Sequence, residues 1–258
     1  MANIKPFKAY RPARDKVHLV ASRSYISYTK ADLIRKLDEN PFTFLHILNP
    51  NYKTEKQCFS NSKEKFERVK TKFIDFANQQ ILIQDKKESF YVYRQIKDGH
   101  PYLGIIACAS VKDYYSNVIK KHEATLTKRE DIFKKYLETV QINAEPVCFT
   151  YPNHAKIDRL TNEKILERPE YDFTSTNRDR HTFWKIEDES RVAKLTAYFG
   201  QIDSIYIADG HHRSASSALL GKSLREEQGN PPEEKPYDYF MGYFIPENCL
   251  KIYEFNRL

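Results

Sequence analysis

The 258 residues are 40% hydrophobic, 14% aromatic and 30% charged, which excludes a disordered or low-complexity chain and leaves one large domain or two modest ones. The net charge of +7 favours anionic partners. Acids interleave the bases, however, as in KREDIFKKYLE from Lys128 to Glu138, and that pattern is a solvated helix face rather than a nucleic-acid stripe.

The first stretch, IKPFKAYRP, is short and extended. Thr29 is placed to cap a helix whose Leu33, Ile34 and Leu37 share one face and which Pro41 stops. FTFLHIL, Phe42 to Leu48, reads as a buried strand. Residues 60–79 repeat Phe66, Val69, Phe73 and Phe76 at helical spacing. SFYVYRQI then alternates, KDGH supplies a turn through Gly99, and YLGIIACASV follows, which together make a hairpin. A loop and a helix come next, then the strand Glu145 to Tyr151, a helix in HAKIDRLTNEKIL, a strand holding Trp184, a helix around ESRVAKLTAYFGQI and the strand SIYIA. Residues after Leu224 read as a polar, proline-rich loop, and YFMGYFIP and CLKIYEF as strands. The mixture predicts an α+β fold with mixed or antiparallel sheets, hairpins and packed helices. If the chain divides, it does so into about 1–115 and 116–258.

No apolar signal core opens the chain and no stretch reaches membrane length. Cys58, Cys108, Cys148 and Cys249 fit neither a metal spacing nor a compact disulfide framework. The expectation is a cytoplasmic protein with no membrane partner.

The chemistry concentrates in IYIADGHHRSASSALL, Ile205 to Leu220. An apolar strand ends at Asp209, Gly210 permits a tight turn, and the helix is expected to begin at SASSALL. Unpaired N–H groups at a helix start favour an anion. Arg213 adds a planar fork for phosphate oxygens, and Gly210, His211, His212 and Ser214 complete a phosphate- or nucleotide-binding turn. Asp209 suits a Mg²⁺ ion or a proton acceptor, or it simply caps the helix. A second cluster, Lys120, Lys121, His122 and Glu123, offers Glu123 or His122 as general base and the lysines as phosphate ligands, or is a basic loop. A third, Arg180 and His181, could line a cleft.

IKPFKAYRP, NPFTFLHI, GIIACASVKDYYSNVIKKHEATLTKRED, PVCFTY, RHTFWKI and YIADGHHRSASSA, in that order, resemble the bacterial domain of unknown function 1015 family. The resemblance spans the chain and implies a further C-terminal region in longer relatives. Tyr25 matches the family's early turn, but Ile26 stands where it has aspartate, and Tyr136 stands where it often has histidine. The DGHHR turn is also similar to that of the ParB/sulfiredoxin-like group, which includes free serine kinases. That likeness implies phosphates held at the turn.

Three functions follow as expectations. The first is a nucleotide-dependent small-molecule kinase, most simply of free serine, with ATP or ADP and Mg²⁺, acting on a small polar metabolite, with a homodimer as the candidate assembly. No Walker glycine loop or protein-kinase signature is present. The second is a ParB-like nucleotide-binding regulator, against which stands the lack of a convincing helix-turn-helix. The third is a metal-dependent hydrolase. It is disfavoured because adjacent helical histidines point about 100° apart.

Overall fold

A computed structural model describes residues 1–23, 27–54 and 58–251. In chain order the elements are β1 (Ile4–Lys5), β2 (Tyr10–Pro12), α1 (Val17–Val20), α2 (Lys30–Glu39), α3 (Leu45–Leu48), α4 (Lys63–Asn78), β3 (Leu82–Gln84), β4 (Phe90–Lys97), β5 (His100–Ser110), α5 (Val111–Tyr115), β6 (Ile119–Lys120), α6 (Thr127–Val140), β7 (Val147–Tyr151), α7 (Ala155–Lys164), β8 (Tyr171–Thr174), β9 (Arg180–Ile186), α8 (Glu189–Phe199), β10 (Ile205–Asp209), α9 (His211–Glu227) and β11 (Tyr239–Pro246). The fold is α+β.

Local chemistry sets most boundaries. The Thr29 and Ser62 hydroxyls accept from the Asp32 and Lys65 N–H groups and start α2 and α4. Asp98 and Gly99, both at positive φ, join β4 to β5 in a two-residue hairpin. The expected strand over Phe42–Leu48 is instead a turn and the single helical turn α3. Its first donors are already taken: Asn40 Oδ1 accepts from Phe42 N, and the distant Val20 carbonyl accepts from Phe44 N. No ladder can form, and Leu45 and Ile47 are buried all the same. The loop expected after Leu224 also begins later, because α9 continues to Glu227. Of CLKIYEF, Cys249 closes a short 3₁₀ turn and the part beyond Lys251 lies outside the described residues, as do Tyr25 and Ile26.

Nine strands form one mixed sheet in the order β6-β10-β7-β11-β5-β4-β9-β8, with β1 on β5; β2 and β3 form a small separate pair. The large sheet draws strands from both sides of residue 115. One face carries the main core, including Phe90, Val92, Ile105, Phe149, Trp184 and Phe244. Burying each such side chain contributes roughly 1.5–3 kcal/mol. A second core joins Val20, Ile47, Phe66, Val69, Phe76 and Leu82 to Val140 of α6. Helix α6 also packs on α9, so the second core abuts the helix that carries the DGHHR residues. The buried face of α9 is made of small residues, Ser214, Ala215, Ser217, Ala218 and Gly221. A Cβ at Gly221 would run into the Tyr237 carbonyl, so this helix lies against its neighbours at backbone distance.

Candidate functional site at the mouth of helix α9

Strand direction brings three chain ends together. β6 and β10 are parallel, so both finish at the same end of the sheet. β7 is antiparallel to β10, so it starts there, and Asp209 stands opposite Cys148. Gly210 makes the bend alone, at φ +100° and ψ 33°, a conformation that glycine adopts without strain. Ser214 N donates to the Gly210 carbonyl at 3.0 Å. The helix therefore begins at His211, three residues earlier than expected, and its first N–H groups face the turn.

The Arg213 guanidinium folds back over that turn. Nη2 donates to Asp209 Oδ2 at 2.6 Å, and Nη1 lies 2.7 Å from Glu145 Oε2 without an aligned N–H. Glu145 precedes β7 and is far from the turn in sequence. Only the pairing of β7 with β10 reveals it, and no local motif announces it. Both carboxylates are exposed, so each pair contributes at most about 1 kcal/mol. A phosphate, which offers the same fork more charge, can compete for it.

His211 is only 5% exposed. Its Nδ1 lies 3.4 Å from Glu123 Oε2, and the His122 ring meets it edge-to-face at 4.4 Å between centroids. Burial, reinforced by His122, holds its pKa below the ordinary 6.5, against the pull of Glu123 and Asp209. Among the described residues, six buried side-chain nitrogen or oxygen atoms lack a hydrogen-bond partner, and three belong to consecutive residues here: His211 Nε2, His212 Nδ1 and Arg213 Nη1. Arg213 Nη1 still has the Glu145 carboxylate beside it, but each unpartnered imidazole nitrogen costs about 1–3 kcal/mol, so the turn is a place that a polar ligand would relieve. Ser214 is different, because its buried hydroxyl already donates to the Gly210 carbonyl at 3.1 Å. The Cys148 thiol is pushed up to about 11 by burial, with Asp209 adding to the effect, and is no nucleophile at neutral pH.

A family model described as "Protein of unknown function (DUF1015)" matches residues 4–258. The chain belongs to that family. No curated protein and no solved structure matches it.

In this DUF1015 chain, then, the structure gathers Glu123, His122, Asp209, Gly210, His211, His212, Arg213 and Ser214 around one turn. Lys120 sits on β6 beside Tyr206. Lys121 is drawn onto Tyr114, 4.1 Å above its ring and donating to its carbonyl. Arg180 and His181 are not brought to the turn: β9 lies five strands from β10. There Arg180 makes a forked pair with Asp172, and His181 Nδ1 meets the Tyr93 hydroxyl at 2.7 Å. Tyr136 packs edge-to-face on Phe66 beside the second core. Among the described residues no group of three or more His, Cys, Asp or Glu is placed to hold a metal, and no helix is long and apolar enough to cross a membrane. A cavity of about 410 Å³ lined by His46, Tyr52, Arg68 and Lys72, among others, shares no residue with the turn.

Proposed function

We propose that the protein is a nucleotide-dependent small-molecule kinase that holds nucleotide phosphates at the mouth of α9. The observation that carries this reading is the Arg213 guanidinium poised over Gly210 at a helix start beside unpartnered imidazole nitrogens. Oriented N–H groups, a guanidinium fork and imidazole donors are what phosphoryl transfer requires, since positioning and charge neutralisation dominate its catalysis. Mg²⁺ would arrive with the nucleotide. The acceptor is a small hydroxyl compound, most simply serine, and the contact of Glu123 with His211 supplies groups able to take its proton. A reducing cytoplasm suits the four free thiols.

A nucleotide-binding regulator would use the same turn without turnover, and the proton-accepting groups beside the anion site favour catalysis over it. The hydrolase reading fares worse, since His211 is buried and the adjacent His212 is half-buried and neighbouring helical side chains diverge. Incubation with serine, Mg²⁺ and ATP or ADP is expected to yield phosphoserine with wild type and none with Arg213→Ala. Nucleotide binding without phosphorylation of serine or any other small hydroxyl compound would leave the regulator.

A further inference from the structure

The imidazole of His211 has two unlike nitrogens. Nδ1 faces the Glu123 carboxylate at 3.4 Å, while Nε2 is buried and makes no hydrogen bond. A carboxylate beside one ring nitrogen draws the proton to that nitrogen and leaves the lone pair on the other. The spacing is long for a finished hydrogen bond, as such contacts often are before a substrate tightens them. Glu123 lies in the exposed segment between β6 and α6, so no packing against its side chain has to be broken to shorten the contact. The ring's other charged or titratable neighbours are His122, His212 and Asp209. His122 meets it through a ring edge, and Asp209 is already engaged by Arg213.

We propose that Glu123 and His211 work as an oriented pair in which Glu123 positions the ring through Nδ1 and Nε2 takes the proton of a substrate hydroxyl. This rests on the phosphoryl-transfer reading for its reaction and assigns the base within it to His211, with Glu123 acting through the ring. In the step, the hydroxyl O–H bond breaks and its proton passes to Nε2. The oxygen forms a bond to the terminal phosphorus of the nucleotide, and the phosphorus–oxygen bond to the departing nucleotide breaks with its electron pair. The substrate class is therefore a small alcohol whose other polar groups remain at the rim of Asp209, Glu145 and Arg213, and the step requires the side chains over His211 to part so that the substrate hydroxyl meets the buried Nε2.

The test reads the tautomer directly. Long-range ¹H–¹⁵N correlation spectra of ¹⁵N-histidine-labelled protein at pH 7.5, assigned with His211→Gln, should show His211 protonated at Nδ1 and bare at Nε2. Glu123→Ala, a change at an exposed loop position, should convert that ring to a tautomer mixture without moving the Tyr93-bound His181. A wild-type ring protonated at Nε2, or a tautomer unchanged in Glu123→Ala, overturns the proposal. Nucleotide-induced stabilisation of the wild type is read in parallel. Its absence with the expected tautomer would sink the phosphate reading while leaving the oriented pair standing, so the two failures are distinguishable.

Discussion

Arg213 closes over Gly210: a Cβ built on that glycine would stand 2.9 Å from both Nε and Nη2 of the arginine. The turn thus needs glycine twice, for its φ of +100° and for the space the guanidinium occupies. Gly210→Ala is expected to destabilise the fold by about 1–3 kcal/mol in urea denaturation and to weaken phosphate binding as well, because the arginine must move. A variant with wild-type stability and wild-type anion response would contradict this packing.

Glu145 acts in the opposite sense. It is an exposed second carboxylate on the same guanidinium, so its removal costs the fold at most about 1 kcal/mol. It also removes a negative charge from beside the anion site. At ~6 Å in water that charge opposes each unit of negative charge on an anion by about 0.7 kcal/mol, so Glu145→Gln should tighten pyrophosphate binding at least about threefold in low-salt calorimetry. The gain should shrink in high salt.

A different part of the molecule sets stability at acid pH. The Asp85 side chain is 4% exposed and receives the Arg11 Nε at 3.0 Å and the Tyr91 hydroxyl at 2.9 Å. Burial opposes its charge, but these partners outweigh burial and hold the carboxyl below the ordinary 3.8. Its contribution is therefore present above pH ~4 and disappears as pH falls through the folded value. Arg11→Met leaves the charge with the Tyr91 hydroxyl and with Lys185, 3.5 Å away, and should cost at most about 3–5 kcal/mol, the cost of a buried charge left wholly unpaired. Acid unfolding should then begin at higher pH, monitored by circular dichroism.

Two histidines away from the turn give a slope of the same sign at higher pH. Burial holds His46 and His181 below the ordinary 6.5. Well above pH 6.5 they are uncharged in both states, but as pH falls through about 6.5 the unfolded chain binds protons that the folded chain resists. Stability should fall from pH 7.5 to 5.5, and the decline should be shallower in His46→Asn or His181→Asn than in wild type by urea denaturation at each pH.

Much of this architecture is written in short-range chemistry. Thr29 and the KDGH turn at Gly99 announce their helix and hairpin because each acts on backbone groups two or three residues away. The strand, glycine and helix around Gly210 are legible for the same reason. What fails is non-local. Phe42–Leu48 is an apolar run whose fate depends on whether a partner strand exists, and Asn40 and Val20 take its donors first. Arg180–His181 resembles site chemistry in sequence, but strand order places it across the sheet. Glu145, the turn's second acid, arrives only through the pairing of β7 with β10. Even His211, picked out by its neighbours, gave no sign of being buried, because the start of α9 fell three residues earlier than its small residues implied.

The most direct test of the central claim is the thermal midpoint of the purified protein with ATP, ADP, CTP or no ligand, each with Mg²⁺, for wild type and Arg213→Ala. A nucleotide bound at the α9 turn and supplied at ~100 times its dissociation constant adds roughly 2.7 kcal/mol, a rise of roughly 5–10 °C for a chain of this size. The account predicts such a rise with at least one nucleotide and its loss in Arg213→Ala. A midpoint that no nucleotide moves, or a rise that survives Arg213→Ala, would contradict it.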